Sequence, residues 1–176
     1  MTKKMNKKLY LGIYLASFLL AAAALFAALL SGLTFAEKHP VMVPVRIVTG
    51  IGVVQFLLVA VVYPLVLLAK MWGAIQDGSA RTTPGKAVGF LFIPFFNLYW
   101  VFNVWAGFPT DYNDYVTRRG LPVEPLSRNL YLAYPILLVL SPLPIIGILS
   151  AVASILFLPV LAANVCDTVN RLSEFG

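Results

Sequence analysis

The sequence predicts an all-α integral membrane bundle: four transmembrane helices plus a broken helical segment that is re-entrant or interfacial. Three observations predict it. Hydrophobic residues make up 60% of the 176 residues and charged residues only 11%, whereas a soluble domain carries about half and about a quarter. A soluble domain of this length cannot hide so much apolar surface. Apolar runs at residues 9–35, 45–71, 126–143 and 145–169 approach or exceed the ~20 residues that cross a bilayer as a helix. The basic residues sit at the ends of these runs, as orientation in a membrane requires. The whole chain is one domain's worth of protein, and five full spans is the alternative architecture.

Composition also excludes classes. The net charge of +6 is not gathered on one element with interleaved aromatics, so nucleic acid is not an expected partner. Cys166 is the only cysteine, so no internal disulfide forms within one chain. With His39 the only histidine, far from Cys166, no metal site or cofactor is expected. His39 reads as a solvated loop residue rather than a pH sensor.

Taken in order, residues 9–35 follow Lys3, Lys4, Lys7 and Lys8. Thr34-Phe35-Ala36 loosely resembles a cleavage site, but 27 apolar residues are too many for a signal h-region. The run reads as a retained first span. Ala16, Ala23, Ala24, Ala27 and Ala28 form its expected close-packing face. Residues 37–40 are a turn. In the second span, 45–71, Gln55 is the strongly polar interior residue and is expected to bond a neighbouring helix. Gly50 and Gly52 loosen its outer end. Lys70 and Trp72 mark its inner boundary as a snorkelling cation and an interfacial aromatic.

Residues 72–115 hold most of the polar chemistry and turn residues. Gln76-Asp77-Gly78-Ser79 is a turn, and Thr83-Pro84 reads as an N-cap followed by proline at the first helical position. The stretch from Gly78 to Lys86 is not a phosphate loop, because six residues separate Gly78 from Gly85, Ala87 replaces the hydroxyl residue, and no strand precedes it. Arg81 and Lys86 are candidate lipid-headgroup contacts, either as an anion site with helix N-terminal amides or as simple anchors. Residues 87–108 are apolar but interrupted by Pro94 and Asn97. They make one kinked span or a re-entrant pair, and broken backbone at that depth needs cover from protein or a water-filled cavity. Residues 111–119 read as a polar loop. Ser141-Pro142-Leu143-Pro144 reads as a tight turn, because residues 126–169 as one helix would measure ~65 Å, about twice the bilayer core. Gly147, Ala151 and Ser154 are the small face of the last span.

Charge counting selects among topologies. If 87–108 spans fully, seven Lys and Arg lie inside and six outside; if it re-enters, eleven lie inside and two, Lys38 and Arg46, outside. Treating residues 126–169 as one long helix behind a full span gives eight against five. The positive-inside bias favours four spans, a broken segment at 87–108 and both termini in the cytoplasm. Cys166, near the inner end of the last helix, is then expected to be shielded from an impermeant thiol reagent. The same topology gathers Asp77, Asn97, Asp111, Asn113, Asn164, Asp167, Asn170 and Arg171 at the cytoplasmic boundary. They form either a polar pocket or a solvated helix end with loops tied to it. Asp167 and Arg171 stand at ion-pair spacing, and Asn164 shares their face.

The pattern W-x-x-I-Q-D-G-x-A-R-T-T-P-G-K-A-V-G-F-x-F-I-P-F-F-N-L-Y-W from Trp72 to Trp100 is followed by Asp111-Tyr112-Asn113, Tyr134-Pro135-Ile136 and Cys166-Asp167-x-x-Asn170. It resembles an uncharacterised group of bacterial multi-pass membrane proteins, some carrying a GYF-like domain ahead of the spans. More distantly it resembles a family of unknown function with the pattern A-V-G-[WF]-x-F-I-P-x-x-N-L. The resemblance covers roughly residues 72–172. It implies a bacterial cytoplasmic (inner) membrane protein and supplies no activity.

Three functions are weighed. The expected one is non-enzymatic: an accessory or structural subunit, or an interaction scaffold, whose partners are membrane lipids and other membrane subunits or further copies of itself. A small transporter or channel around the broken segment, lined by Asn97, Asn103 and Gln55, is the alternative, but no charge lies deep in a span to serve it. A lipid-modifying enzyme using Asp77, Asp111, Asp114 or Asp167 is the third, and no Ser or Cys stands beside a plausible base.

Overall fold

A computed structural model describes residues 4–34, 40 and 42–175, the side chains of 32–34 and 42 excepted. His39 therefore lies outside the described residues. All regular structure among them is helical: α1 Lys7–Thr34, α2 Met42–Ala74, α3 Pro84–Gly89 continued by a 3₁₀ turn Phe90–Phe92, α4 Phe96–Trp105, α5 Phe108–Arg119, α6 Arg128–Leu140 and α7 Ile146–Leu172. Among the described residues, three stretches are long and apolar enough to cross a membrane: Lys7–Ser31, Val43–Ala74 and Ile146–Leu172. That is one fewer than expected. The fourth, expected over 126–143, is cut to 13 residues in α6, about 20 Å at 1.5 Å per residue. Pro125 and Ser127 precede it, and the turn at Ser141–Pro144 ends it.

The chain packs as two compact units: Lys8–Pro64, and the residues up to Lys7 together with Leu65–Gly176. In the first, α1 and α2 meet along a seam of small residues. Tyr14, Ser17, Ala21 and Ser31 are buried, and with the half-buried Ala24 and Ala28 they recur every three or four residues, the period of one helix face. Thr49 Oγ1 donates to the Ala24 carbonyl at 3.2 Å, and a Cβ at Gly52 would stand 3.1 Å from the Ala24 Cβ. Gly52 thus serves close approach rather than a loose end. The expected alanine face is only partly the packed one: Ala24 and Ala28 lie toward the seam, whereas Ala16, Ala23 and Ala27 are exposed. Gln55 is exposed and, among the described residues, bonds no neighbouring helix.

In the second unit, α6 and α7 form the expected hairpin. Ser150 Oγ donates to the Leu137 carbonyl at 2.5 Å and Tyr131 Oη to Asn164 Oδ1 at 2.7 Å. Thr83 caps α3, its side chain accepting from Lys86 N at 3.4 Å, with Pro84 in the first turn. The break at Pro94 folds α4 back on α3: Trp100 Nε1 donates to the Ala87 carbonyl at 3.2 Å, and Phe90 packs edge-on against Phe96 and Trp100.

Two expectations fail here. Trp72 is not an interfacial aromatic; it is fully buried and donates from Nε1 to the Val104 carbonyl at 3.1 Å. Residues 111–119 are not a loop but most of α5, whose buried Phe108, Tyr112, Tyr115 and Val116 follow a helical period. Pro109 opens that helix, Asp111 sits in its first turn, Arg118 and Arg119 in its last, and Gly120 closes it at φ 61°. Each end thus complements the helix dipole or satisfies its cap.

Candidate functional site

The segment after α2 is bound to α4 and α5 by charge. Gln76 Nε2 donates to the Trp72 and Thr82 carbonyls at 2.8 and 3.0 Å, closing the loop on its own helix. Asp111 then takes Arg81 at three points: Arg81 N at 2.8 Å, Nε at 2.7 Å and Nη2 at 2.6 Å. Arg81 Nη1 also donates to Asn103 Oδ1 at 3.3 Å. Arg81 precedes α3, Asn103 ends α4 and Asp111 begins α5, so one guanidinium fastens the entry of the folded-back segment to its exit.

A second clasp lies beside it. Asp77 Oδ1 accepts from Ser79 N at 3.0 Å and Ser79 Oγ at 2.6 Å, and Arg118 Nη2 reaches Asp77 Oδ2 at 3.0 Å and Ser79 Oγ at 2.5 Å. The Ser79 bonds, joined by Arg118, hold the Asp77 carboxyl well below the usual carboxylate range. Aromatic rings fill the space beneath: Trp72 edge-on to Phe108, Phe108 against Tyr112 and Tyr131, and Trp105 edge-on to Tyr134.

Farther along α5, Asn113 binds the linker to α6 from both ends of its amide. Oδ1 accepts from Leu126 N at 2.7 Å and Nδ2 donates to the Leu126 carbonyl at 3.1 Å. Between that linker, α6 and α7 opens a cavity of about 200 Å³ whose polar walls are Tyr112, Glu124, Asn164, Asp167, Thr168 and Arg171. Burial pushes the Tyr112 hydroxyl above its ordinary range. Asp167 is paired with Lys7 Nζ at 2.6 Å, and Arg171 stands 3.8 Å from Glu124. Asn170 grips the segment ahead of α1, accepting from Met5 N at 2.6 Å and donating to its carbonyl at 2.9 Å.

The expected polar cluster therefore divides. Asp77 and Asp111 belong to the arginine clasps, Asn113 to the linker, Asn170 to the N-terminal segment, and Asn164, Asp167 and Arg171 to the cavity. Asn97, half-buried at the start of α4, stands apart from all of these. Asp167 and Arg171 share a helix face yet take different partners. Arg81 is occupied by Asp111 and Asn103, whereas Lys86 is exposed. Sequence reading missed Ser79, Asn103, Arg118, Tyr112 and Tyr131 as members. Only the turn pattern Asp77-Gly78-Ser79 signalled one of them, because aspartate in such a turn bonds the backbone two residues on. No family model, curated protein or solved structure matches the chain.

Proposed function

We propose that the chain is a non-enzymatic integral membrane protein, an accessory subunit or interaction scaffold of a larger membrane complex or of a homo-oligomer. The observation that carries this reading is the state of the carboxylates. Asp77, Asp111, Glu124 and Asp167 each stand within ion-pair distance of a cation, and Asp114, which is exposed, stands apart from them. A general acid or base needs a carboxyl facing a reactant with its proton affinity raised. Here the groups tie elements together, and Asp77 is displaced in the opposite direction.

The proposed setting is the bacterial cytoplasmic membrane, as the resemblance of residues 72–172 implies, with both termini cytoplasmic and residues 87–108 dipping in and out on that side. The Arg81 bonds to Asn103 and Asp111 support the dip, since they join its start to its end. The bonds of Asn170 to Met5 and Asp167 to Lys7 support a common side for the termini. The eleven-to-two distribution of Lys and Arg supports the orientation. In this setting Lys86 faces lipid headgroups.

Native mass spectrometry of the protein extracted gently from its own membrane tests the function. Stoichiometric partner subunits or copies of itself are expected. A lone protomer carrying only lipid would overturn the scaffold reading. Orientation needs a reporter other than Cys166, which is fully buried and shielded in either orientation; Glu174→Cys, at an exposed position, should resist an impermeant thiol reagent in intact cells.

A further inference from the structure

We infer that α2 pairs with α2 of a second copy of this chain along the stripe Val48, Ile51, Gln55, Leu58 and Val62. The inference rests on the scaffold reading above and names one partner for it. Gln55 carries the argument. Arg46 and Lys70 bracket the apolar part of α2, and Gln55 lies three residues from their midpoint, about 4.5 Å at 1.5 Å per residue. It is therefore deep in the hydrocarbon of any bilayer that α2 crosses. Its side chain is exposed and makes no hydrogen bond among the described residues. It does not turn back on its own helix as Gln76 does toward the Trp72 carbonyl. Acyl chains offer an amide nothing, so a polar group at that depth faces other protein.

A second copy fits better than an unrelated helix. An amide both donates and accepts, so two of them satisfy each other across a two-fold axis. Two copies inserted in the same direction bring Gln55 to Gln55 at equal depth without further adjustment. Val48, Ile51, Leu58 and Val62, three, four or seven residues from it, are all apolar and exposed, a seam with one polar residue to set register. The α1 side of α2 is already filled, Gly52 by Ala24 and Phe56 by Phe18.

Disulfide trapping in native membranes tests this. The parent chain is its own control, because Cys166 is buried. Ile51→Cys and Leu58→Cys should give disulfide-linked dimers under mild oxidation, since facing seam positions come within disulfide reach. Leu57→Cys and Val61→Cys, equally exposed but off the stripe, should give little. Adding Gln55→Leu to Ile51→Cys should weaken the dimer by about 3- to 30-fold, the range for one interhelical hydrogen bond in lipid, and Gln55→Asn should restore part of it. Equal trapping at all four positions, no trapping at any, or trapping indifferent to Gln55→Leu would overturn the inference. If trapping fails while native mass spectrometry still finds bound subunits, this pairing falls and the scaffold reading stands. Lone protomers together with failed trapping would remove both.

Discussion

Replacing Asp111 with alanine tests whether the arginine clasp holds the folded-back segment. The carboxylate takes one bond from the Arg81 backbone N–H and two contacts from its guanidinium. The Asp111 side chain is only 11% exposed, but that of Arg81 is 38% exposed. The backbone bond contributes about 1 kcal/mol. The charged contacts, worth ~1.5–3 kcal/mol when buried, must be discounted toward the ~0–1 kcal/mol of exposed pairs. A total of about 2 kcal/mol follows, or a Tm lower by about 4–8 °C for a chain of this length. The assay is thermal unfolding in mild detergent with a thiol-reactive dye, for which the single buried Cys166 is a built-in reporter. Arg81→Met completes a double-mutant cycle, and a coupling of about 1 kcal/mol is expected. If Asp111→Ala costs as much beside Arg81→Met as it does alone, the loss belongs to the dipole of α5 and the clasp reasoning is refuted.

Gly107→Ala should destabilise by about 1–3 kcal/mol in the same dye assay, because a Cβ there would collide with the Asn103 carbonyl oxygen and crowd Arg81 Nη1 at 2.6 Å. Ile145→Gly should stabilise by about 0.5–1 kcal/mol: it relieves ~1–2 kcal/mol of left-handed backbone at φ 65° and gives back ~0.5–1 kcal/mol of glycine entropy. An unchanged or lower Tm would count against strain at that turn. Ser79→Ala should move the Asp77 titration, followed by carboxyl-carbon NMR in micelles, upward toward the ordinary carboxylate range. Since the folded value is lowered, the group's contribution is complete above its ordinary value and is lost as pH falls through the folded one. The variant should therefore lose it at higher pH than the parent, and an unmoved titration would show that Ser79 does not hold the carboxylate.

The long helices were legible because a bilayer demands an unbroken apolar run, and residues 7–31, 43–74 and 146–172 supply one. Thr83-Pro84 and the break at Pro94 were legible from local chemistry alone. The packing face of α1 was not. Alanines stand at 16, 21–24, 27 and 28, pointing in every direction, so small size cannot choose a face. The buried Tyr14, Ser17 and Ser31 do choose one. Helix α5 was missed because Asp111, Asn113 and Asp114 read as loop chemistry, although the spacing of Phe108, Tyr112, Tyr115 and Val116 and the closing Gly120 were present in the sequence. In the site, the sequence named polar residues but neither their grouping nor their pairing, and the expected cluster divides among separate contacts. Asp77 meets Arg118 across 41 positions and Arg81 meets Asp111 across 30, separations that no local period encodes.

The turn at Pro94 has a twin. Phe96 N donates to the Pro94 carbonyl at 2.7 Å and Asn97 N to that of Ile93 at 3.0 Å; Ile146 N donates to the Pro144 carbonyl at 2.7 Å and Gly147 N to that of Leu143 at 2.7 Å. The residue at the centre of each is bulky, apolar and left-handed: Phe95 at φ 63° and Ile145 at φ 65°. Such a γ-turn is rare and strained, and neither side chain repays the strain by packing, being 88% and 81% exposed. In water the backbone would relax and hydrogen-bond to solvent. In hydrocarbon an open N–H or carbonyl costs several kcal/mol, more than the ~1–2 kcal/mol of the left-handed residue, and an apolar side chain at the tip is solvated by acyl chains. The re-entrant topology proposed for residues 87–108 would make the strained turn at residues 93–97 the less costly choice.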